Sequence, residues 1–144
     1  MKDVVIKIVT TQNMGQNEEE PIELITDGKY SYENDSYEID YMESSITGME
    51  GTRTTVKITP MEVMVNREGT FTSSTVFKKG SRNTFLYDTP YGKMTMGVNT
   101  NKIDMNFNEH GGEIEVEYVL DMDHAIFGRN NLKMQVKEQE SYPV

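Results

Sequence analysis

Residues 113–118 read EIEVEY. A strict two-residue period puts Ile114, Val116 and Tyr118 on one face and Glu113, Glu115 and Glu117 on the other. One dry face and one wet face mark a strand of antiparallel sheet. The same period recurs along the chain. In residues 36–44 Tyr37, Ile39, Tyr41 and Glu43 alternate with Glu38, Asp40 and Met42. Val56 and Ile58 alternate with Thr55, Lys57 and Thr59, and then Val63, Val65 and Arg67 with Met64 and Asn66. Ile103, Met105 and Phe107 alternate with Lys102, Asp104 and Asn106.

Turn signals separate these runs: Asp27-Gly28, Asn34-Asp35, Gly48 to Gly51, Glu68-Gly69, Lys79-Gly80, Pro90 to Gly92, Gly111-Gly112 and Gly128 to Asn131. Strands are expected over 3–12, 22–26, 29–33, 36–44, 53–59, 62–67, 71–78, 83–89, 92–107, 113–125 and 131–138, with 22–33 readable as one bent strand. The run 92–107 is too long to stay straight, so a bend or bulge is expected between Gly97 and Asn101. The segment 17–25, NEEEPIELI, fits a short helix with Pro21 in its first turn or the entry to a strand. Short strands with short turns form a meander, and closure removes its exposed edges. The expected fold is all-β: one closed antiparallel meander β-barrel of about eight to ten strands over residues 1–144, with 138–144 a loose tail.

Composition narrows the chemistry. The 144 residues carry 24 acidic and 14 basic side chains, a formal net charge of −10. That field repels phosphate backbones, so no nucleic acid is expected as a partner. There is no cysteine, hence no disulfide frame, thiol nucleophile or cysteine-ligated metal. The opening residues MKDVVIKIVTTQN place Asp3 and Lys7 inside a short apolar run, which reads as a strand rather than a signal peptide. No segment approaches the roughly 18 apolar residues of a membrane helix. The expectation is a soluble, cytoplasmic protein with no membrane partner and no cofactor.

The residues YMES (41–44), TTVKI (54–58), VNREGTFTSSTVFKKG (65–80), YDTPYG (87–92) and IEVEYVL (114–120) together resemble the YwiB-like family of uncharacterised bacterial proteins. The firmest positions are Arg67, Gly69, Phe77, Gly80, Tyr87, Thr89, Pro90, Gly92, Tyr118 and Leu120. The resemblance, over about residues 28–137, implies a lipocalin-like (calycin) β-barrel and carries no activity. The chain has no tryptophan, so the Gly-x-Trp signature of secreted lipocalins is missing.

The two-residue period sends Tyr41, Glu43, Arg67 and Tyr118 inward with their apolar neighbours, and Phe85, Tyr87 and Thr89 share a face taken as inner. Tyr41, Glu43, Arg67, Tyr87, Thr89 and Tyr118 are therefore the candidate ligand-binding residues. Apolar walls with a few convergent polar groups fit a small, partly apolar ligand with an anionic or polar group. Arg67 would clamp the anion in two-pronged fashion. The competing reading is a non-catalytic structural or protein-interaction module, in which Glu43 and Arg67 pair and plug the barrel. Such a pair would make Arg67→Met cost roughly 3–5 kcal/mol, by orphaning a carboxylate.

Other chemistry finds little footing. Asp121, Asp123 and His124 have metal-ligand character but no spaced second histidine, and read as a solvated loop cluster with no metal. No Gly-x-Ser-x-Gly elbow or phosphate-cradling loop occurs, so no catalytic residue is assigned and no enzyme is expected; Glu43 beside Arg67 and a tyrosine is the sole alternative. The eleven methionines suit gap-filling, and would suit a flexible apolar ligand if several lined one cavity. In YDTPYG, Pro90 starts a turn and Gly92 permits its geometry, while Tyr87 and Tyr91 suit a barrel rim.

Overall fold

The computed structural model describes residues 1–14, 17, 18 and 20–139. Eleven strands among them form one antiparallel sheet: β1 (Lys2–Met14), β2 (Asn17–Glu18), β3 (Ile22–Glu33), β4 (Ser36–Met42), β5 (Thr52–Ile58), β6 (Val63–Gly69), β7 (Ser73–Phe77), β8 (Arg82–Thr89), β9 (Gly92–Asn108), β10 (Gly111–Met122) and β11 (Ala125–Glu138). The spatial order is β7-β6-β5-β4-β3-β1-β11-β10-β9-β8, with β2 paired to β1. The last long strand thus lies against the first, and ten strands wrap around one interior.

Closure between β7 and β8 differs in kind. No ladder joins them. Thr72 and Asp88 exchange two backbone hydrogen bonds of 2.9 Å near one end, and the Gly80 amide donates to the Thr100 carbonyl at 2.9 Å near the other. Between these, Asn83 Nδ2 donates to the Val76 carbonyl at 3.3 Å. The barrel is therefore nearly closed, with a seam pinned at its ends.

Local chemistry explains the hairpins. Asn34 (φ 49°) and Asp35 (φ 61°) both take left-handed backbone between β3 and β4, as do Asp123 (φ 51°) and His124 (φ 67°) between β10 and β11. A two-residue hairpin needs that twist, which Asn and Asp tolerate. The sequence places the latter turn at Gly128 to Asn131; the structure moves it upstream, and Gly128 lies inside β11. The expected irregularity in β9 is a bulge: Lys102 faces Glu117 and Thr100 faces Tyr118, leaving Asn101 as the extra residue.

Segment 22–33 is one strand, so Asp27-Gly28 is not a turn. A Cβ on Gly28 would stand 2.6 Å from the Asp40 carbonyl and overlap Ile6. Glycine lets the backbone of β3 close against its neighbours. Of segment 17–25, Ile22–Ile25 enters β3 as a strand, and residue 19 lies outside the described residues. Glu138 ends β11, and the Gln139 amide donates to the Asp3 carbonyl at 3.0 Å. The rest of the expected tail, 140–144, lies outside the described residues.

The end bearing the β3–β4 and β9–β10 turns is packed with rings. Tyr30, fully buried, stacks on Tyr37 (6.4 Å between centroids) and Phe107 (6.3 Å). Its hydroxyl donates to the Asn108 carbonyl at 2.6 Å. Burial first, then the neighbouring Tyr37 and Tyr32, push its pKa up to about 12. Val4, Ile6, Ile39, Ile58, Val63 and Val136 fill the space around these rings. The other end, bearing the β4–β5 connection, is where polar side chains enter the interior.

Gly28→Ala tests the β3 packing. It is expected to lower stability by about 1–3 kcal/mol through overpacking, read as a reduced urea midpoint at unchanged slope. A change near zero would mean β3 does not approach β4 as described.

Candidate functional site

β4 runs up the barrel wall with Ile39, Tyr41 and then Glu43 pointing inward. Glu43 is only 6% exposed, yet its carboxylate is met from two sides. Thr54 Oγ1 on β5 donates to Oε2 at 2.5 Å, and Thr47 Oγ1 donates to Oε1 at 3.0 Å. Thr47 belongs to a single 3₁₀ turn, Ser45–Thr47, in the loop that follows β4. Ser44 caps this turn, its Oγ accepting from the Ile46 amide at 3.2 Å, and Gly48 ends it at φ 76°. Glu43 thus ties a loop at the barrel mouth to the barrel wall. Hydrogen bonds to a buried carboxylate supply what water would otherwise give.

Arg67 follows Val63 and Val65 up β6 and arrives near the same end. Its influence reaches both interior phenols. Burial raises the Tyr41 hydroxyl well above the ordinary tyrosine range, the Glu43 carboxylate raises it further, and Arg67 opposes both. Burial likewise raises Tyr118, again with Arg67 opposing.

Among the described residues no carboxylate forms an ion pair with Arg67, Glu43 included. Its Nε is buried without a hydrogen-bond partner. Ser73, directly across the β6–β7 ladder from Arg67, has a buried Oγ in the same condition. Thr100 Oγ1 is the third such atom among the described residues. The expected Glu43–Arg67 plug is therefore absent: the threonines satisfy the acid, and the guanidinium Nε–H is left over. Orphaned buried polar groups are rare enough that each calls for a reason.

Two interior cavities meet at this arginine. One, of about 190 Å³, is walled by Ile8, Tyr41, Glu43, Val56, Val65 and Met134, with Thr47 and Met49 of the mouth loop. The other, of about 320 Å³, lies behind the β7–β8 seam and is walled by Met49, Met94, Met96 and Met122 with Phe85, Tyr87 and Leu120. Met49, Arg67, Phe77 and Tyr118 border both. A larger groove of about 610 Å³ over the seam is lined by Arg67 and Ser73 together with Arg53, Asn66, Thr72 and Asp88. Of the described residues, Arg67 alone borders all three.

Of the six residues expected from sequence, Tyr41, Glu43, Arg67 and Tyr118 come together here, and Tyr87 lines the methionine cavity. Thr89 stands apart. Its hydroxyl donates to the Gly92 carbonyl at 2.9 Å and accepts from the Tyr91 amide at 3.1 Å, so the hairpin turn uses it. Sequence reasoning missed Thr47, Thr54 and Ser73. The two-residue period does place Thr54 with Val56 and Ser73 with Phe77, but it gives neither hydroxyl a partner. No comparable signal marks Thr47, which only the loop's path brings to Glu43.

The Asp121 group is structural. Arg82 Nη2 and Nε meet its two carboxylate oxygens at 2.6 and 3.0 Å, and the His124 amide donates at 3.1 Å. The guanidinium lies over Gly97, where a Cβ would collide with it. Asp123 and His124 form the adjoining turn. The Arg82 hydrogen bonds hold the Asp121 pKa below its ordinary value, aided by the His124 amide and opposed by burial.

The fold and this interior define a β-barrel with a packed aromatic half and a hollow half that ends in an unpaired arginine. The chain belongs to the family described as Domain of unknown function (DUF1934), whose model matches residues 6–134. Among solved structures it is similar to the ywiB protein from Bacillus subtilis. That match has a TM-score of 0.85 at 20% identity and covers 96% of this chain and 93% of the other. At that identity the likeness speaks for the fold. No curated protein matches the chain.

Two expectations follow. Thr54→Val is expected to destabilise by about 1–3 kcal/mol, because a buried carboxylate loses a donor. Arg67→Met should stay within about 1 kcal/mol of the parent in the same denaturation series, since no buried acid is orphaned. A larger loss for Arg67→Met would restore the ion-pair plug. For Asp121, whose folded pKa is depressed, the stabilisation is present above the ordinary carboxylate pKa and is lost as pH falls through the lowered folded value. Thermal melts of Asp121→Asn should therefore fall less steeply on acidification than those of the parent protein.

Proposed function

We propose that this protein is a non-catalytic binding protein for a small, partly apolar molecule with an anionic group, held in the hollow half of the barrel. The observation that carries the reading is the buried Arg67 Nε without a partner at the junction of two interior cavities. A guanidinium is the side chain suited to two-pronged anion capture, and an apolar enclosure with few polar groups is the usual form of a ligand site. Tyr41, Tyr118 and the Glu43 network orient the polar end, and Tyr87 lies along the apolar end. The parallel with lipocalin-type carriers is one of fold alone.

The setting assigned to it is the cytoplasm. Among the described residues no helix is long and apolar enough to cross a membrane. The outward face of β10 carries Glu113, Glu115 and Glu117, with Lys102 and Lys133 around Glu115. Charges at such positions are costly against lipid, which favours an aqueous surround. A second reading, a structural or interaction module with a filled barrel, draws on the packed Tyr30–Tyr37–Phe107 end.

Native mass spectrometry of protein from its own host, beside its denatured mass, tests the first reading. A discrete added mass that is lost on denaturation and missing from Arg67→Met is expected. As a probe, anilinonaphthalene sulfonate should bind the folded protein at one saturable site and lose affinity in Arg67→Met. Neither an added mass nor a dye site would turn the assignment to the filled-barrel module.

A further inference from the structure

The interior specifies more than an anion with an apolar body. Among the described residues Arg67 is the sole basic wall residue of the two inner cavities, and the acid Glu43 stands close to the same end. One positive group beside a carboxylate suits a single negative charge and disfavours a phosphate dianion. The Arg67 Nε–H and the Ser73 hydroxyl are adjacent across a ladder and both unpaired. Two neighbouring donors match the two oxygens of a carboxylate.

Beyond them lies the cavity of about 320 Å³. Four of its walls are the thioethers of Met49, Met94, Met96 and Met122, interleaved with Phe85, Tyr87 and Leu120. Methionine presents flexible, polarizable surface that reshapes readily around a flexible chain. At about 30 Å³ for each water-sized unit, that volume takes roughly ten non-hydrogen atoms. The seam groove shares Arg67 with the cavity system and has Ser73 in its own lining, so a head group held at Arg67 stays near solvent while the chain lies inside.

We infer that the ligand is an unbranched monocarboxylate of medium chain length, its carboxylate on Arg67 and Ser73 and its chain in the methionine-walled cavity. This rests on the binding reading above and names the ligand class for that site.

The test is calorimetric titration of the full chain with decanoate, decanol, decylamine and decyl phosphate, each below its micelle concentration, beside the naphthalene dye. Decanoate is expected to bind once per chain, to displace the dye, and to bind about tenfold or more tighter than the alcohol, the amine or the phosphate ester. Ser73→Ala and Arg67→Met should each weaken decanoate, Arg67→Met about tenfold or more, while leaving decanol unchanged. Met94→Phe, which adds bulk to the chain cavity and leaves Arg67 in place, should weaken decanoate more than hexanoate. Both arginine and methionine variants are checked by thermal melts, so that lost binding is not lost folding. Preference for decyl phosphate or decylamine would overturn the carboxylate assignment, and equal loss of both acids in Met94→Phe would overturn the placement of the chain. In either case dye binding would leave the binding reading standing. If neither the dye nor any of the four decyl compounds binds, and no added mass travels with the native protein, the binding reading itself falls.

Discussion

The pairing of the first strand with the last is the constraint on which the barrel rests. β1 and β11 run side by side from Val4 opposite Glu138 to Asn13 opposite Arg129. Without that ladder the chain would be two meanders, β1 to β7 and β8 to β11, each with one apolar face in water. With it, both faces turn onto a common interior, and Val4, Ile6 and Ile8 of β1 meet Met134 and Val136 of β11. Burial of this kind, at about 25 cal/mol per Å² of apolar surface, is the main term available to offset the entropy of ordering so much extended chain. The pairing is also long-range in sequence, which raises the loop-closure cost and slows folding in such a topology.

Closure at one place relaxes the demand for closure at another. β7 and β8 need no continuous ladder, because the sheet is already held around the rest of its circuit. The seam is therefore where the wall can be thin, and it is there that the larger inner cavity lies. The opposite, aromatic end has no such slack: three stacked rings and two tyrosine hydroxyls bonded to carbonyls fix it. One half of the molecule supplies rigidity and the other retains space, which is the division of labour a preorganised site needs.

The polar interior follows the same logic at the level of single groups. Glu43 is served by two threonines, one on the wall and one in the mouth loop, so its charge is compensated locally. Arg67 is not served in this way. A protein selected only for stability gains nothing from an orphaned guanidinium N–H beside an orphaned serine hydroxyl. Their adjacency is the feature of the interior that folding does not explain.

Much of the fold was legible from the two-residue period alone, because in a pleated strand the side chain's direction is fixed by its place in the count. That rule put Tyr41, Glu43, Arg67 and Tyr118 inside, while turn residues marked Asn34-Asp35 and the length of the run 92–107 called for the irregularity that became the Asn101 bulge. It failed where glycine has two meanings: at Gly28 a close backbone approach looks the same, on paper, as a turn. It also failed at Thr89, whose hydroxyl the local turn consumes. What no periodicity expresses is distance between strands. Whether Glu43 and Arg67 touch depends on how far each strand climbs the wall, on the loop that brings Thr47 to the acid, and on the space left behind the seam. The sequence determined which side chains share the interior; only the tertiary structure decided which of them are neighbours, because register and curvature are properties of the closed sheet and not of any one strand.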